Sequence, residues 1–380
     1  MFILFLSIIF FRPFISSLAY PRLNYFYSTY LVLFALLYAI LRIRPLRHMR
    51  RFIPAILLFC LSLAVSVLFS LHRQNSTAEL YKYISALLLF FIAAGFTQRE
   101  RLVFINTMVI YGVILSILAI YQYFFGYLNL LQYVKSHGIN APYIIETLNQ
   151  NRAYFPFVSP NMLGGYVGML IPLTLINGKR RWAIIPLLLT LLLTRSFGAI
   201  TSTFLGICIY TLLQAKVRKM IAAILSGLLL ILGIVIIMRT TTAKEHIQPI
   251  FSTLARLDYW KATLPIISLA PLTGVGIGNF NLAQTRFAHN SYLQIWAEMG
   301  LPGLISLVWL ISLSGKQAMN NIRLNREDSP ATIALLSSVS VFLIHNIIDF
   351  TFFLPEVALL WWMLLGMSIN DGNDHSHTDL

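Results

Sequence analysis

The sequence predicts an all-α, polytopic integral membrane protein with about 12 transmembrane helices and an outer loop of short helices. Three observations predict it. Of 380 residues, 58% are hydrophobic and 11% are charged, less than half of the roughly 25% charge of a soluble domain. The apolar residues fall into runs close to the roughly 20 residues that cross a bilayer as a helix. The basic residues crowd the short connections between those runs, as the positive-inside rule requires.

Twelve runs read as spans: 1–20, 26–41, 52–71, 80–96, 102–125, 160–177, 182–195, 198–215, 218–238, 300–315, 331–349 and 352–369. Backbone groups in lipid must be hydrogen-bonded within the chain, and the period-two alternation of a membrane strand is absent, so these runs are helices. The opening MFILFLSIIFFRPF has neither a basic n-region nor a small-residue cleavage site and reads as a first span. Arg42, Arg44, Arg47, Arg50 and Arg51 share one loop. Arg99 and Arg101, then Lys179 to Arg181, then Lys216, Arg218 and Lys219, then Lys316, Arg323 and Arg326 follow. These 16 of the 28 basic residues lie on one side of a twelve-span arrangement, which makes that side and both termini cytoplasmic. Topology therefore accounts for the net charge of +15 without a nucleic-acid partner.

Residues 1–370 read as a single membrane domain: N-terminal helices over 1–150, then a motif-bearing region over 151–370. The tail 371–380 reads as disordered and solvated, and its His375 and His377 make at most a weak metal pair. Two longer stretches lie outside, about 126–159 and about 239–299, the lengths at which loops become functional. Cys60 and Cys208 both sit inside apolar runs, so no disulfide framework or metal cluster follows. GVGIGNF at 274–280 has alternate glycines, but no Lys-Ser/Thr follows and no strand precedes, which rules against a nucleotide site.

The segment Arg256 to Leu304 holds several independent elements in order: Arg256, Trp260, the turn Pro271-x-x-Gly274-x-Gly276, His289-Asn290-x-Tyr292-Leu293, then Glu298-x-Gly300-x-x-Gly303-Leu304. It resembles the central signature of the O-antigen ligase/polymerase family of glycosyltransferases. FPFVSPNMLGGYVGMLIPL at 155–173, LLLTRSFGAI at 191–200 and HNIIDFTFFLPEVALLWWMLLG at 345–366 resemble its flanking segments, so that the resemblance spans about three-fifths of the chain. The N-terminal third matches only in hydropathy. One departure stands out. The family often carries an arginine directly after the Ser of the Thr-x-Ser segment, where this chain has Phe197, with Arg195 two residues earlier. Two helical residues turn through about 200°, so Arg195 can serve there only if the helix breaks or ends, as Gly198 allows.

The resemblance implies a GT-C-like fold in the bacterial cytoplasmic (inner) membrane, its site facing the periplasm. It implies transfer of an oligosaccharide from undecaprenyl diphosphate to an acceptor hydroxyl on a lipid A-core, a growing glycan or a protein. The donor is already activated, so no cofactor is expected, and an arginine-rich site makes metal unnecessary. The acceptor hydroxyl needs a base, and the departing diphosphate needs positive charge. His289 suits the first role, since histidine titrates near 6.5; the plainer alternative is a helix-capping residue. Arg256 suits the second, because guanidinium meets phosphate oxygens bidentately. Arg195, Arg152 and Lys261 are further diphosphate candidates, with Arg286 a weaker one. Asn290 and Tyr292 support the motif, and Asn161 reads as the N-cap of the helix after Pro160. Glu298, nine residues and half a net turn past His289, is expected to pair with an arginine or the Gly300 turn. His345 and Asp349, i and i+4 on one helix, read as a packing hydrogen bond or a proton relay. A polymerase and a protein O-oligosaccharyltransferase are alternatives within the family. A lipid-linked glycan transporter is the competing class, against which stands the absence of any internal repeat.

Overall fold

The computed structural model describes residues 2–42, 47–138, 151–176, 178, 180–214, 249–283, 285–324 and 329–370. They form thirteen α-helices, with no strand among the described residues: α1 Phe2–Phe11, α2 Pro21–Arg42, α3 Ile53–Leu68, α4 Arg73–Ala94, α5 Gln98–Tyr121, α6 Tyr127–Ser136, α7 Pro160–Thr174, α8 Ile184–Leu193, α9 Phe197–Leu213, α10 Pro249–Leu269, α11 Ser291–Leu324, α12 Ser329–His345 and α13 Pro355–Ser368. Five segments are long and apolar enough to cross a membrane: Pro21–Leu41, Met49–Leu68, Arg73–Ala94, Gln98–Ser136 and Ser291–Leu324. Five shorter apolar helices accompany them. The predicted span 218–238 and the tail with His375 and His377 lie outside the described residues.

The packing is organised around α13. All 14 of its residues are buried, which is the mark of a helix enclosed by others rather than one facing lipid. It lies against α4 and α12; α12 in turn packs on α7 and α9, and α11 packs on α3. Trp361 and Trp362 meet edge to face, and Phe342 stacks on Trp361 at 5.0 Å. The outer helices are the converse, with Phe26, Leu57 and Ile117 exposed as a lipid-facing surface.

Four predictions are corrected. The run 1–20 is not one span: α1 stops at Phe11, Pro13 lies in a 3-10 turn, and the buried Arg12 donates to Asn24 Oδ1 at 2.6 Å and Ile15 O at 2.7 Å. A charge so placed needs partners, and the chain turns to supply them. Among the described residues the outer loop is built on a 21-residue helix, α10, longer than the short helices expected. The span placed at 300–315 runs on to Leu324, and a helix from Ser291 precedes it across a non-helical kink at Gly300, φ 70°. His345 and Asp349 do not share a helix. α12 ends at His345, where the Asn346 side chain bonds Phe342 O at 2.9 Å and Thr351 Oγ1 at 3.0 Å and diverts the chain.

Candidate functional site

Side-chain caps mark where α7, α9 and α11 begin: Ser159, Ser196 and Asn290. These three starts gather around the end of α12. His345 lies between α7 and α9, so close that a Cβ on Gly165 would stand 2.9 Å from its Nδ1 and one on Gly198 3.5 Å from its Cδ2. Ser291 ties the start of α11 to the same place, its N–H donating to Asn346 O at 2.9 Å and its hydroxyl to Asp349 O at 3.1 Å.

His289 sits just before that start, on backbone with φ 51°. Left-handed conformations are uncommon for residues with a Cβ. Its neighbours secure it. Ala288 N–H donates to Gln294 Oε1 at 3.1 Å, Trp260 Nε1–H donates to His289 O at 3.3 Å, and Asn290 Oδ1 accepts from Tyr292 N at 3.0 Å and Leu293 N at 3.1 Å. The ring is stacked with Tyr259 at 5.5 Å and meets Phe350 edge-on at 4.8 Å. Phe350 stacks on Phe287 at 4.0 Å, completing an aromatic wall. Burial pushes the His289 imidazole below the usual histidine range; the Asp349 carboxylate opposes this and Arg256 reinforces it. At neutral pH the ring is therefore uncharged and able to accept a proton.

Arg256 is half-buried on α10, and Lys261 on the same helix is exposed. Five residues rotate a side chain by about 500°, or 140° net, so the two face different ways. Arg286 is also exposed.

A second group forms where α8 meets α9. α8 ends at Leu193, and Arg195 follows on left-handed backbone, φ 50°. The helix break that the sequence required for Arg195 is present, and the 200° argument lapses because Arg195 is not helical. Its Nη2 donates to Tyr123 OH at 3.1 Å, from a π-helical turn over Gln122–Gly126 that extends α5. Such turns recur at functional sites. Arg152 donates through Nε to Thr194 O at 2.8 Å and through Nη2 to Asn161 Oδ1 at 3.3 Å. Asn161 also accepts from Ser196 Oγ at 2.9 Å. Asn161 is thus not the N-cap. Ser159 is, because Pro160 occupies the first helical position and Ser159 Oγ accepts from Asn161 N.

Of the two partners expected for Glu298, an arginine or the Gly300 turn, the arginine is not found among the described residues. The Glu298 carboxylate accepts from Gly278 N at 3.1 Å and Gln294 Nε2 at 3.0 Å. Its main-chain oxygen accepts from Gly276 N at 3.1 Å and Ser66 Oγ at 2.7 Å. The stretches 271–276 and 297–301 run side by side, with Val275 N–H donating to Ala297 O at 2.9 Å and Leu301 N–H to Pro271 O at 2.8 Å. A Cβ on Gly274 or Gly300 would collide with the opposing backbone, which explains both glycines.

His345 and Asp349 stand 3.9 Å apart between Nε2 and Oδ2, an ion-pair distance too long for the predicted hydrogen bond. Tyr292 OH donates to Leu343 O at 2.8 Å, fastening α11 to α12. Among the described residues, no group of three or more His, Cys, Asp or Glu side chains is placed to hold a metal ion. Sequence reading missed Gln294, Tyr123, Ser196 and Asn346. For Gln294 a signal existed: it stands four residues before Glu298, on the same helical face. The others depend on tertiary contacts.

Residues 182–308 match the O-antigen ligase family. The matched segment includes Arg195, Arg256, Lys261, His289, Asn290, Tyr292 and Glu298, while Arg152, Asn161, His345 and Asp349 fall outside it. No curated protein matches the chain. The match covers about a third of the chain, agrees with the motif resemblance and is consistent with the all-helical, membrane-helix character of the fold: over residues 182–308 the chain is similar to the O-antigen ligase family.

Proposed function

We propose that this protein is an inner-membrane glycosyltransferase that moves an oligosaccharide from undecaprenyl diphosphate to an acceptor hydroxyl at the periplasmic face. The observation that carries the reading is the setting of His289: a half-buried imidazole on left-handed backbone just before α11, stacked with Tyr259 and edge-on to Phe350, with burial favouring its neutral form. The acceptor oxygen attacks the anomeric carbon as His289 takes its proton, and the bond from that carbon to the diphosphate breaks with inversion. Negative charge grows on the departing diphosphate, where Arg256, Arg195 and the α9 N-terminus supply positive potential. Asp349 stabilises the imidazolium that forms. Arg152 acts here as a brace, because its guanidinium is bonded to Thr194 and Asn161. Lys261 and Arg286, both exposed, are available to meet the donor's headgroup. No metal takes part in this scheme.

The test uses purified protein, undecaprenyl-diphosphate oligosaccharide, candidate acceptors and EDTA, with carrier release as the readout. Wild-type protein releases carrier, and His289→Ala loses activity by about 10²–10⁴-fold. A ladder of products identifies a polymerase, and a single product a ligase. Equal release by both proteins ends the base assignment, and loss of activity in EDTA ends the metal-free scheme.

A further inference from the structure

We propose that Gln294 is a positioning residue for His289, and that Glu298 sets the direction in which its amide works; this rests on the reading of His289 as the base. The two side chains form a relay across the loop before α11. At one end Gly278 N–H donates to Glu298 Oε2 at 3.1 Å; in the middle Gln294 Nε2 donates to Glu298 Oε1 at 3.0 Å; at the other end Ala288 N–H donates to Gln294 Oε1 at 3.1 Å. Gln294 is 2% exposed and Glu298 is 3% exposed, so every polar atom in the relay must find its partner inside the protein. Ala288 directly precedes His289, whose backbone conformation does not persist without such restraint.

Both ends of the relay are main-chain donors, so an acceptor must face each end. A carboxylate accepts on both oxygens, whereas a primary amide accepts on one side and donates on the other. One carboxylate and one amide satisfy all three contacts in either order. Two amides leave two donors face to face, and two carboxylates leave two acceptors and two like charges face to face. Glu298 fixes which way the Gln294 amide points, and the amide oxygen so placed holds the Ala288 N–H.

This logic gives a test that packing alone does not reproduce. Gln294→Glu and Glu298→Gln are each isosteric, and each breaks the alternation. The double exchange Gln294→Glu/Glu298→Gln restores it with unchanged formal charge. Carrier-release kinetics and hydrogen exchange at the Ala288 amide are measured in wild type, both single variants and the double exchange, with His289→Ala as control. Each single variant is expected to lower kcat about tenfold, the loss set by one buried hydrogen bond, with donor KM within about threefold of wild type and faster exchange at Ala288. The double exchange is expected to recover kcat to within about threefold and to restore slow exchange. Single variants that work at wild-type rates, or a double exchange no better than the worse single, overturn the relay. Should a single variant fail to accumulate, the double exchange decides alone: a folded, active protein supports the relay, and failure overturns it. An active His289→Ala overturns the base reading itself, separately from the relay.

Discussion

His289 and Arg195 share an uncommon backbone, φ 51° and φ 50°, yet the protein holds them in opposite ways. Around His289 the chain is fastened on three successive residues, through Ala288 N–H, His289 O and the Asn290 side chain, while the ring is left to aromatic neighbours, Tyr259 and Phe350. Around Arg195 it is the side chain that is bonded, to Tyr123, with Arg152 bracing the adjacent Thr194. The difference suits two chemistries. A base must approach one hydroxyl with a free nitrogen, so its backbone is fixed and its ring kept dry. A cation that meets a diphosphate needs an aimed charge, and the hydrogen bond to Tyr123 OH helps to aim it.

The largest expected effect tests the His289 side of this contrast. His289→Ala should remove activity by about 10²–10⁴-fold with little change in thermal midpoint, read by carrier release and by melting. Next comes Arg256→Ala, which should cost about 10²–10³-fold in kcat, the scale of losing one donor to developing charge, with Arg256→Lys recovering only part. If Arg256→Ala raises KM and leaves kcat unchanged, Arg256 binds the donor without stabilising its departure.

The pH dependence sharpens the electrostatic half of the comparison. Because burial lowers the His289 value, activity should rise with pH through a limb below about 6.5 and be flat at neutrality. Asp349 raises that value and Arg256 lowers it. Asp349→Asn should therefore move the acid limb to lower pH, and Arg256→Ala should move it to higher pH. Shifts of the same sign in a kcat/KM profile would show that the limb does not belong to His289.

Smaller effects separate brace from ligand on the Arg195 side. Arg152→Ala removes bonds to Thr194 O and Asn161 Oδ1 and should cost about 1–2 kcal/mol of stability, seen as a lower melting temperature with kcat within about tenfold of wild type. Unchanged melting with a large loss of kcat would make Arg152 a diphosphate ligand. Tyr123→Phe should be mildest, lowering kcat about two- to fivefold, the scale of one half-exposed hydrogen bond, and having no added effect in an Arg195→Ala background.

Periodicity and composition made the helices legible, since lipid leaves a chain so apolar no other spanning structure. The motif spacing likewise made His289, Arg256 and Glu298 legible as residues of interest. Their partners were not legible. Glu298 read as the mate of an arginine or of the Gly300 turn, but the carboxylate is taken by Gly278 and Gln294 because the glycine loop folds back over α11. Asn161 read as a cap, but Pro160 shifts the cap to Ser159 and frees Asn161 for Arg152 and Ser196. Asp349 read as helical, but Asn346 ends the helix before it.

The sequence by itself determined the all-helical architecture, the family resemblance of its central segment and the residue types able to abstract a proton or meet a phosphate. These follow from local period, hydropathy and motif order. Only the tertiary structure decided which arginine is half-buried on α10, which is bound up as a brace, and how a left-handed His289 is held. Those outcomes depend on where the chain turns at Pro13, Arg195, Gly300 and Asn346, and on donors and acceptors far apart in sequence, such as Tyr123 with Arg195 and Ser66 with Glu298. A buried polar group takes whichever partner the packing brings within about 3 Å, and no spacing rule along one chain contains that information.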